Sequence, residues 1–454
     1  MQILLLGRTV VQRFFRIPGL LFNTLYVGYA RRTRRDQRAA RALPMISYTP
    51  YMQWIDRQYD SMLQLLIDWS TINSGSWNLS GLGRMRQAIR TRFESLGSVP
   101  EEIALEPMEG IDATGNRVQL PLGKALRFVK RPRAPQRIFL GGHMDTVFGA
   151  DHAFQKTRRR DARSLNGPGV ADLKGGLVVM LTALEALERS PYAEALGWEI
   201  LINPDEEIGS PGSAPLLEAA ARRNHLGLIY EPALADGTLA GARKGSGNYT
   251  VVVRGKAAHA GREHALGRNA IVALADFITA LNALNGQRSD ITVNPGRIDG
   301  GGPVNIVPDL AICRFNVRVG SLEEQTWVAS EIHRLCDVIN QREGFAIELL
   351  GGFGRPPKAL TPQNRRLFEM VSVCGRELGV EVRWQPTGGC CDGNNLAAAG
   401  LPNVDTLGVR GGNIHSAEEF VVLDSLTERA KLSALLLMKI GAGELSIPAP
   451  VGET

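Results

Sequence analysis

Past about residue 130 the chain alternates short apolar runs with longer segments of helical period. Ile138 to Leu140 reads as a buried strand, Lys174 to Glu188 as a helix, Trp198 to Ile202 as a strand, Ser213 to Arg223 as a helix, and Leu226 to Tyr230 as a strand. This alternation predicts an α/β domain with a mostly parallel central sheet. From Tyr249 the pattern changes: Tyr249, Val251 and Val253 alternate with Asn248, Thr250 and Arg254, Asn269 to Leu284 has helical period, and Ala311 to Val317 alternates again. Such alternation marks an antiparallel sheet with one wet face. Signals of the first kind resume at Gln363 to Leu378, Val380 to Trp384, Val404 to Val409 and Leu423 to Ile440. The expected architecture is an α/β domain in two sequence segments, 43–243 and 354–446, with an α+β domain inserted at 244–353.

Composition agrees with two domains. At 454 residues the chain is long for one core. Its 44% hydrophobic and 22% charged residues exclude wholesale disorder and fibrous classes. The net charge of +6 is unevenly spread, because residues 1–45 hold nine Arg against the single acid Asp36. The body is therefore slightly acidic, and no nucleic-acid partner is expected.

In the basic tail, taken as residues 1–42, Arg8, Arg13, Arg16 and Pro18 interrupt the apolar stretches. No run approaches the ~20 residues of a membrane span. The tail suits weak contact with anionic lipid or a targeting peptide; a disordered tail or a start codon assigned too early are the plainer alternatives. Five Cys, two of them adjacent (Cys390, Cys391), fit a reducing compartment better than a disulfide framework, so a cytoplasmic location is expected.

The candidate chemistry sits where strands end. Ile138 to Leu140 runs into Gly141-Gly142-His143-Met144-Asp145, and Trp198 to Ile202 into Asn203-Pro204-Asp205-Glu206-Glu207. Leu226 to Tyr230 runs into Glu231-Pro232, and Val404 to Val409 leads to Ile414-His415-Ser416-Ala417-Glu418-Glu419. A Gly-rich turn carries Asp172 at the start of a helix. Open α/β sheets bind ligands at that edge. Imidazole and carboxylate are the donors a pair of divalent ions requires, and one carboxylate can bridge two ions ~3.5–4 Å apart. A lone strand-end His or an Asp-Glu-Glu turn is usually structural; their joint appearance on four strands favours a site. A thiol hydrolase built on Cys391 and His415 would leave the acidic and imidazole groups unexplained.

The ordered blocks Gly-Gly-His-Met-Asp-Thr-Val, Gly-Val-Ala-Asp-Leu-Lys-Gly-Gly, Asp-Glu-Glu-Ile-Gly-Ser, Glu-Pro, Gly-Lys-Ala-Ala-His-Ala-Gly and His-Ser-Ala-Glu-Glu resemble the M20 family of metallopeptidases and aminoacylases. The likeness is greatest to the glutamate carboxypeptidase branch, of carboxypeptidase G type, and runs from about residue 60 to about 443. It implies a zinc-peptidase-like catalytic domain and an inserted lid that forms a homodimer. It further implies two zinc ions, with cobalt or manganese as substitutes: His143, Asp172 and Glu231 would hold one, Asp172, Glu207 and His415 the other.

In the same likeness Glu206 is the general base, Asp145 fixes the tautomer of His143, and the Asp172-Leu173 peptide is cis. His259 would stabilise the oxyanion in the neighbouring subunit's site. Asn305, Arg355 and Gly389 match substrate-binding blocks, the first two serving a free carboxylate. Cys391 stands where the family usually has Ser or Thr, Cys390 where it has Gly, and Asn316 where relatives often carry Asp. The implied activity is hydrolysis of an amide beside a free carboxylate, in an N-acyl amino acid or short peptide. An N-acyl-amino-acid or acetylornithine-type deacylase, a dipeptidase, and a non-catalytic binding relative are the alternatives.

Overall fold

A computed structural model describes residues 47–447; the basic tail and the readings attached to it lie outside them. The central sheet has six strands in the order Glu101–Ala104, Lys124–Lys130, Leu196–Asn203, Gln136–His143, Leu226–Ile229, Asn403–Val404. The last four run parallel, and the first two add antiparallel pairings at one edge. Both faces are covered, which is why these strands read as unbroken apolar runs. On Gln136–His143, Ile138 and Leu140 enter the larger core, which includes residues of Lys174–Glu188, Pro362–Glu377 and Ser425–Gly441. Phe139 points the other way, onto Leu217 and Ala220 of Ala214–Arg223 and Leu396 of Asp392–Ala398. Each such buried side chain contributes about 1.5–3 kcal/mol.

Lys174–Glu188 is apolar almost all round because it lies under Ser425–Gly441 and Tyr59–Ser70 as well as against the sheet. Gly176 makes the approach possible: a Cβ there would stand 2.0 Å from the Tyr230 carbonyl oxygen, beside Glu231.

A second sheet of four antiparallel strands follows the order Thr292–Gly300, Leu310–Val319, Gly245–Arg254, Ala346–Arg355. Tyr249, Val251 and Val253 face a separate core formed with Ala270–Asn282 and Leu322–Asn340. Both helices start on side-chain caps, Asn269 accepting from Val272 N and Ser321 from Glu324 N. The reverse face is drier than alternation alone predicts, since Val252 and Ile312 pack on Ile111 of the hairpin Met108–Ile111/Arg117–Leu120.

Two strand readings need correction. Of Val404 to Val409, only Asn403–Val404 forms a ladder, because Asp405 turns to Arg243 and Lys358 and the Thr406 hydroxyl accepts from Ala240 N. Of Val380 to Trp384, only Trp384 is in a strand, Trp384–Thr387, which pairs parallel with Leu239–Arg243. Among the described residues no helix is long and apolar enough to cross a membrane.

Candidate metal centre and active site

The parallel strands deliver their polar residues to one edge. His143 ends Gln136–His143, the turn Glu206–Ile208 follows Leu196–Asn203, and Glu231 follows Leu226–Ile229. Asp172 precedes Lys174–Glu188, and the Asp172-Leu173 peptide is cis. His415 follows Arg410–Gly412 with φ +63°, a left-handed conformation uncommon outside glycine.

These residues converge on Asp172. Its Oδ1 lies 3.1 Å from His143 Nε2, and its Oδ2 lies 3.3 Å from His415 Nε2. Glu231 Oε1 stands 3.7 Å from His143 Nε2, and Glu207 Oε2 stands 3.1 Å from His415 Nε2. Two groups of potential ligand atoms result, His143 with Asp172 and Glu231, and Asp172 with Glu207 and His415. Glu206 Oε2 is 3.9 Å from His143 Nε2, beside the first group.

His143 Nδ1 donates to the Asp145 carbonyl at 3.0 Å, with Asp145 Oδ1 at 3.3 Å. A carbonyl only accepts, so in the neutral ring the Nε2 lone pair faces carboxylate oxygens. The Asp145 carboxylate has a further part: it accepts from Ser76 Oγ at 2.7 Å, Glu206 N at 3.2 Å and Glu207 N at 3.1 Å. It thereby couples the strand end bearing His143 to the turn bearing both glutamates.

Burial raises the carboxyls of Glu206 and Glu231, and burial together with Asp172 raises Glu207 to about 7. Hydrogen bonds to Asp172 and Glu207 push His415 up to about 11. Against burial, His143 and His415 hold the Asp172 carboxyl well below its ordinary range. The raised glutamates mark carboxylates buried close together, and the two histidines supply the positive charge around Asp172. Among the described residues the buried Glu231 Oε1 has no hydrogen-bond partner. An unpartnered carboxylate oxygen, a lone pair aimed at carboxylates and a nitrogen–oxygen donor set all fit a divalent metal ion.

A cavity of about 330 Å³ opens over these groups, with Gly389 in its wall. Arg355 also lines it but is buried, its Nη2 forming an ion pair with Glu206 Oε1 at 2.7 Å and lying within hydrogen-bond distance of Glu206 O at 2.8 Å, Ser210 Oγ at 2.9 Å and Asp392 Oδ1 at 3.3 Å. His259 and Asn305 are exposed and are not among the residues lining this cavity; Ala258–His259 pairs with Ile306–Val307 next to Asn305. His259 Nδ1 accepts from Gly261 N at 3.1 Å and Arg262 N at 3.2 Å, so Nε2 carries a proton and is a donor.

Three features escape the sequence reading. Glu419, quoted in a motif without a role, accepts from the backbone N–H of Gly169, Ala171 and Asp172 at 2.9–3.0 Å and holds the loop that presents Asp172. Cys391 caps Asp392–Ala398, its Sγ accepting from Gly393 N at 3.3 Å while Asn394 Oδ1 accepts from Cys391 N at 3.1 Å. That explains how a thiol serves where a hydroxyl is usual, and burial pushes the thiol up, away from a nucleophile's thiolate. Arg243 lines the cavity and lies in none of the motifs.

A sequence description of the peptidase family M20/M25/M40 matches residues 139–439. The chain is similar to carboxypeptidase G2 of Pseudomonas sp. (strain RS-16), 29% identical over 318 residues, covering 69% of this chain and 76% of that protein. It is 26% identical over 286 residues to succinyl-diaminopimelate desuccinylase of Nitrosospira multiformis, covering 60% of this chain and 74% of the relative. The crystal structure of a tripeptidase from Staphylococcus aureus superposes with TM-score 0.66 at 23% identity, covering 85% of this chain and 99% of that one, which shows the shared fold.

Proposed function

Because the chain belongs to peptidase family M20/M25/M40, and is thus a metal-dependent amidohydrolase or peptidase, we propose that it cleaves an amide beside a free carboxylate with a two-ion centre. The single observation that carries this reading is the Asp172 carboxylate between two His/carboxylate groups. His143, Asp172 and Glu231 would hold one ion, and Asp172, Glu207 and His415 the other. Zinc suits these donors, with cobalt or manganese as substitutes. Bound there, the ions supply Lewis acidity to the scissile carbonyl and to water.

Glu206 takes the proton of the attacking water and returns it to the leaving amine. Asp145 keeps the His143 ring in the tautomer that aims Nε2 at the ligand groups. His259 Nε2–H suits a developing oxyanion, yet it is exposed and not among the residues lining the cavity of its own chain. A homodimer bringing His259 and Asn305 to a neighbouring site answers this, and the exposed apolar Val304, next to Asn305 in the chain, suits a covered surface. In that arrangement 244–353 is the lid and dimerisation domain on a catalytic domain of 43–243 and 354–446.

The relatives favour two substrate classes, a carboxypeptidase substrate and a succinylated amino acid. A hydrolysis screen of N-acyl amino acids and dipeptides, with zinc, cobalt and manganese each supplied to metal-free protein, tests the proposal. Metal-dependent release of a free amino acid is expected. Binding without turnover across the screen would place the chain among non-catalytic relatives.

A further inference from the structure

A second cavity, of about 360 Å³, opens at the opposite end of the central sheet. Arg137, in its wall, stands at the start of Gln136–His143 and His143 at the end, so that strand separates the two sites by about 20 Å at ~3.3 Å per residue. The lining residues include five cations, Arg127, Lys130, Arg137, Arg222 and Arg223, against one carboxylate, Glu199. Glu199 is shared by Arg127 and Arg223. Arg127 Nη1 also reaches Glu101 Oε2 at 2.9 Å, Lys130 reaches Glu188, which serves Arg131 as well, and Arg222 holds the exposed Glu218.

Arg137 meets only neutral groups. Its Nε donates to Arg223 O at 2.6 Å and its Nη1 to Ala134 O at 3.2 Å, which fixes the plane of the guanidinium. Nη2 has His225 Nε2 for a neighbour, 3.4 Å away. That contact is between two donors. The backbone N–H of Arg137 donates to His225 Nδ1 at 3.0 Å, so Nδ1 is unprotonated and the ring's proton is on Nε2. Burial, with Arg137 adding to it, lowers the His225 pKa below its ordinary 6.5 and keeps the ring neutral near pH 7.

Two N–H donors thus lie side by side, without an acceptor among the described residues, where positive charge is in excess. The carbonyl end of Ala214–Arg223 accounts for part of that charge, because arginines in a last turn complement the helix dipole. It does not account for the facing donors or for the cavity beside them.

We propose that this cavity binds a multiply charged oxyanion of phosphate or carboxylate type, with Arg137 and the adjoining His225 donating to it and the exposed Arg222 adding charge. Guanidinium groups suit both kinds of oxyanion. The inference does not rest on the hydrolase reading, since none of these residues belongs to the metal centre.

Titration calorimetry of pyrophosphate, and separately of citrate, into the metal-loaded full chain tests this, with chloride as the monovalent control. Wild type is expected to bind at least one of the two anions more tightly than chloride, and the tighter of the two assigns the phosphate or the carboxylate class. Arg137→Gln should weaken that binding about 10-fold or more, and Arg222→Gln about 3-fold, with metal content unchanged. Equal affinity in wild type and folded Arg137→Gln would put the anion elsewhere, at the metal centre for instance, and overturns the assignment. Wild type that binds neither anion more tightly than chloride overturns it too. If Arg137→Gln does not fold, Arg222→Gln carries the test, and unchanged affinity there has the same consequence.

Discussion

Arg355 Nη2 forms an ion pair with Glu206 Oε1 at 2.7 Å and donates to the Glu206 carbonyl at 2.8 Å, so one guanidinium nitrogen holds both the side chain and the backbone of that residue. The carboxylate beside the ligand groups is thus held in place before any substrate arrives, and Asp145 secures the same turn through the N–H groups of Glu206 and Glu207.

Glu206→Gln removes the proposed proton acceptor while leaving Glu207 in place, and should lower kcat by about 10²–10⁴-fold with metal content unchanged. Arg355→Lys cannot reproduce the bond pattern and should lower kcat by about 10-fold. Steady-state kinetics with metal analysis checks both. Loss of metal from Glu206→Gln would exchange the roles of Glu206 and Glu207.

His259→Ala should cost about 10²–10³-fold in turnover, the scale for one oxyanion donor. Mixing Glu206→Gln chains with His259→Ala chains under subunit exchange should restore part of the activity, because a hybrid dimer has one site with both groups intact. Demonstrated exchange without recovery would confine His259 to its own chain or remove it from the mechanism.

Glu199 predicts an acid limb of stability away from the site. It accepts from Arg127 Nε at 2.7 Å, Arg223 Nη2 at 2.6 Å and Asn224 Nδ2 at 2.9 Å. Burial opposes its charge, but Arg223 and Arg127 hold the carboxyl below its ordinary value of 4.5. A depressed folded-state pKa gives stability that is present above the unfolded value and lost as pH falls through the folded one. Glu199→Gln should therefore lower stability near pH 7 by about 1.5–3 kcal/mol, toward the lower end because Arg223 is 44% exposed, and the deficit should shrink below pH 4.5. Thermal melts across pH check it; a constant deficit would remove the charge from the account.

The strand ends were legible because parallel strands buried on both faces leave an unbroken apolar run, and the polar residues just past each run fall at one edge. His143, Asp172, Glu207, Glu231 and His415 come together there. Periodicity also bounded Lys174–Glu188 correctly. It misjudged Val404 to Val409, where Asp405 and Thr406 spend their side chains on neighbours and the ladder stops at Val404. Arg243 and Glu419 were illegible for another reason. Their significance depends on partners far along the chain, Asp405 and the Gly169–Asp172 backbone, which no local pattern reports. Arg355 was found by motif, but only geometry shows its guanidinium seated on Glu206 and Asp392.

The central claim is a two-ion centre with Asp172 shared between its halves. Titrating zinc into metal-free protein while following hydrolysis of an N-acyl amino acid tests it most directly. The account predicts activity that reaches its plateau at about two ions per chain and is abolished by a chelator, with Asp172→Asn losing both ions. Full activity at one ion per chain, or an Asp172→Asn protein that retains one ion and full turnover, would contradict it.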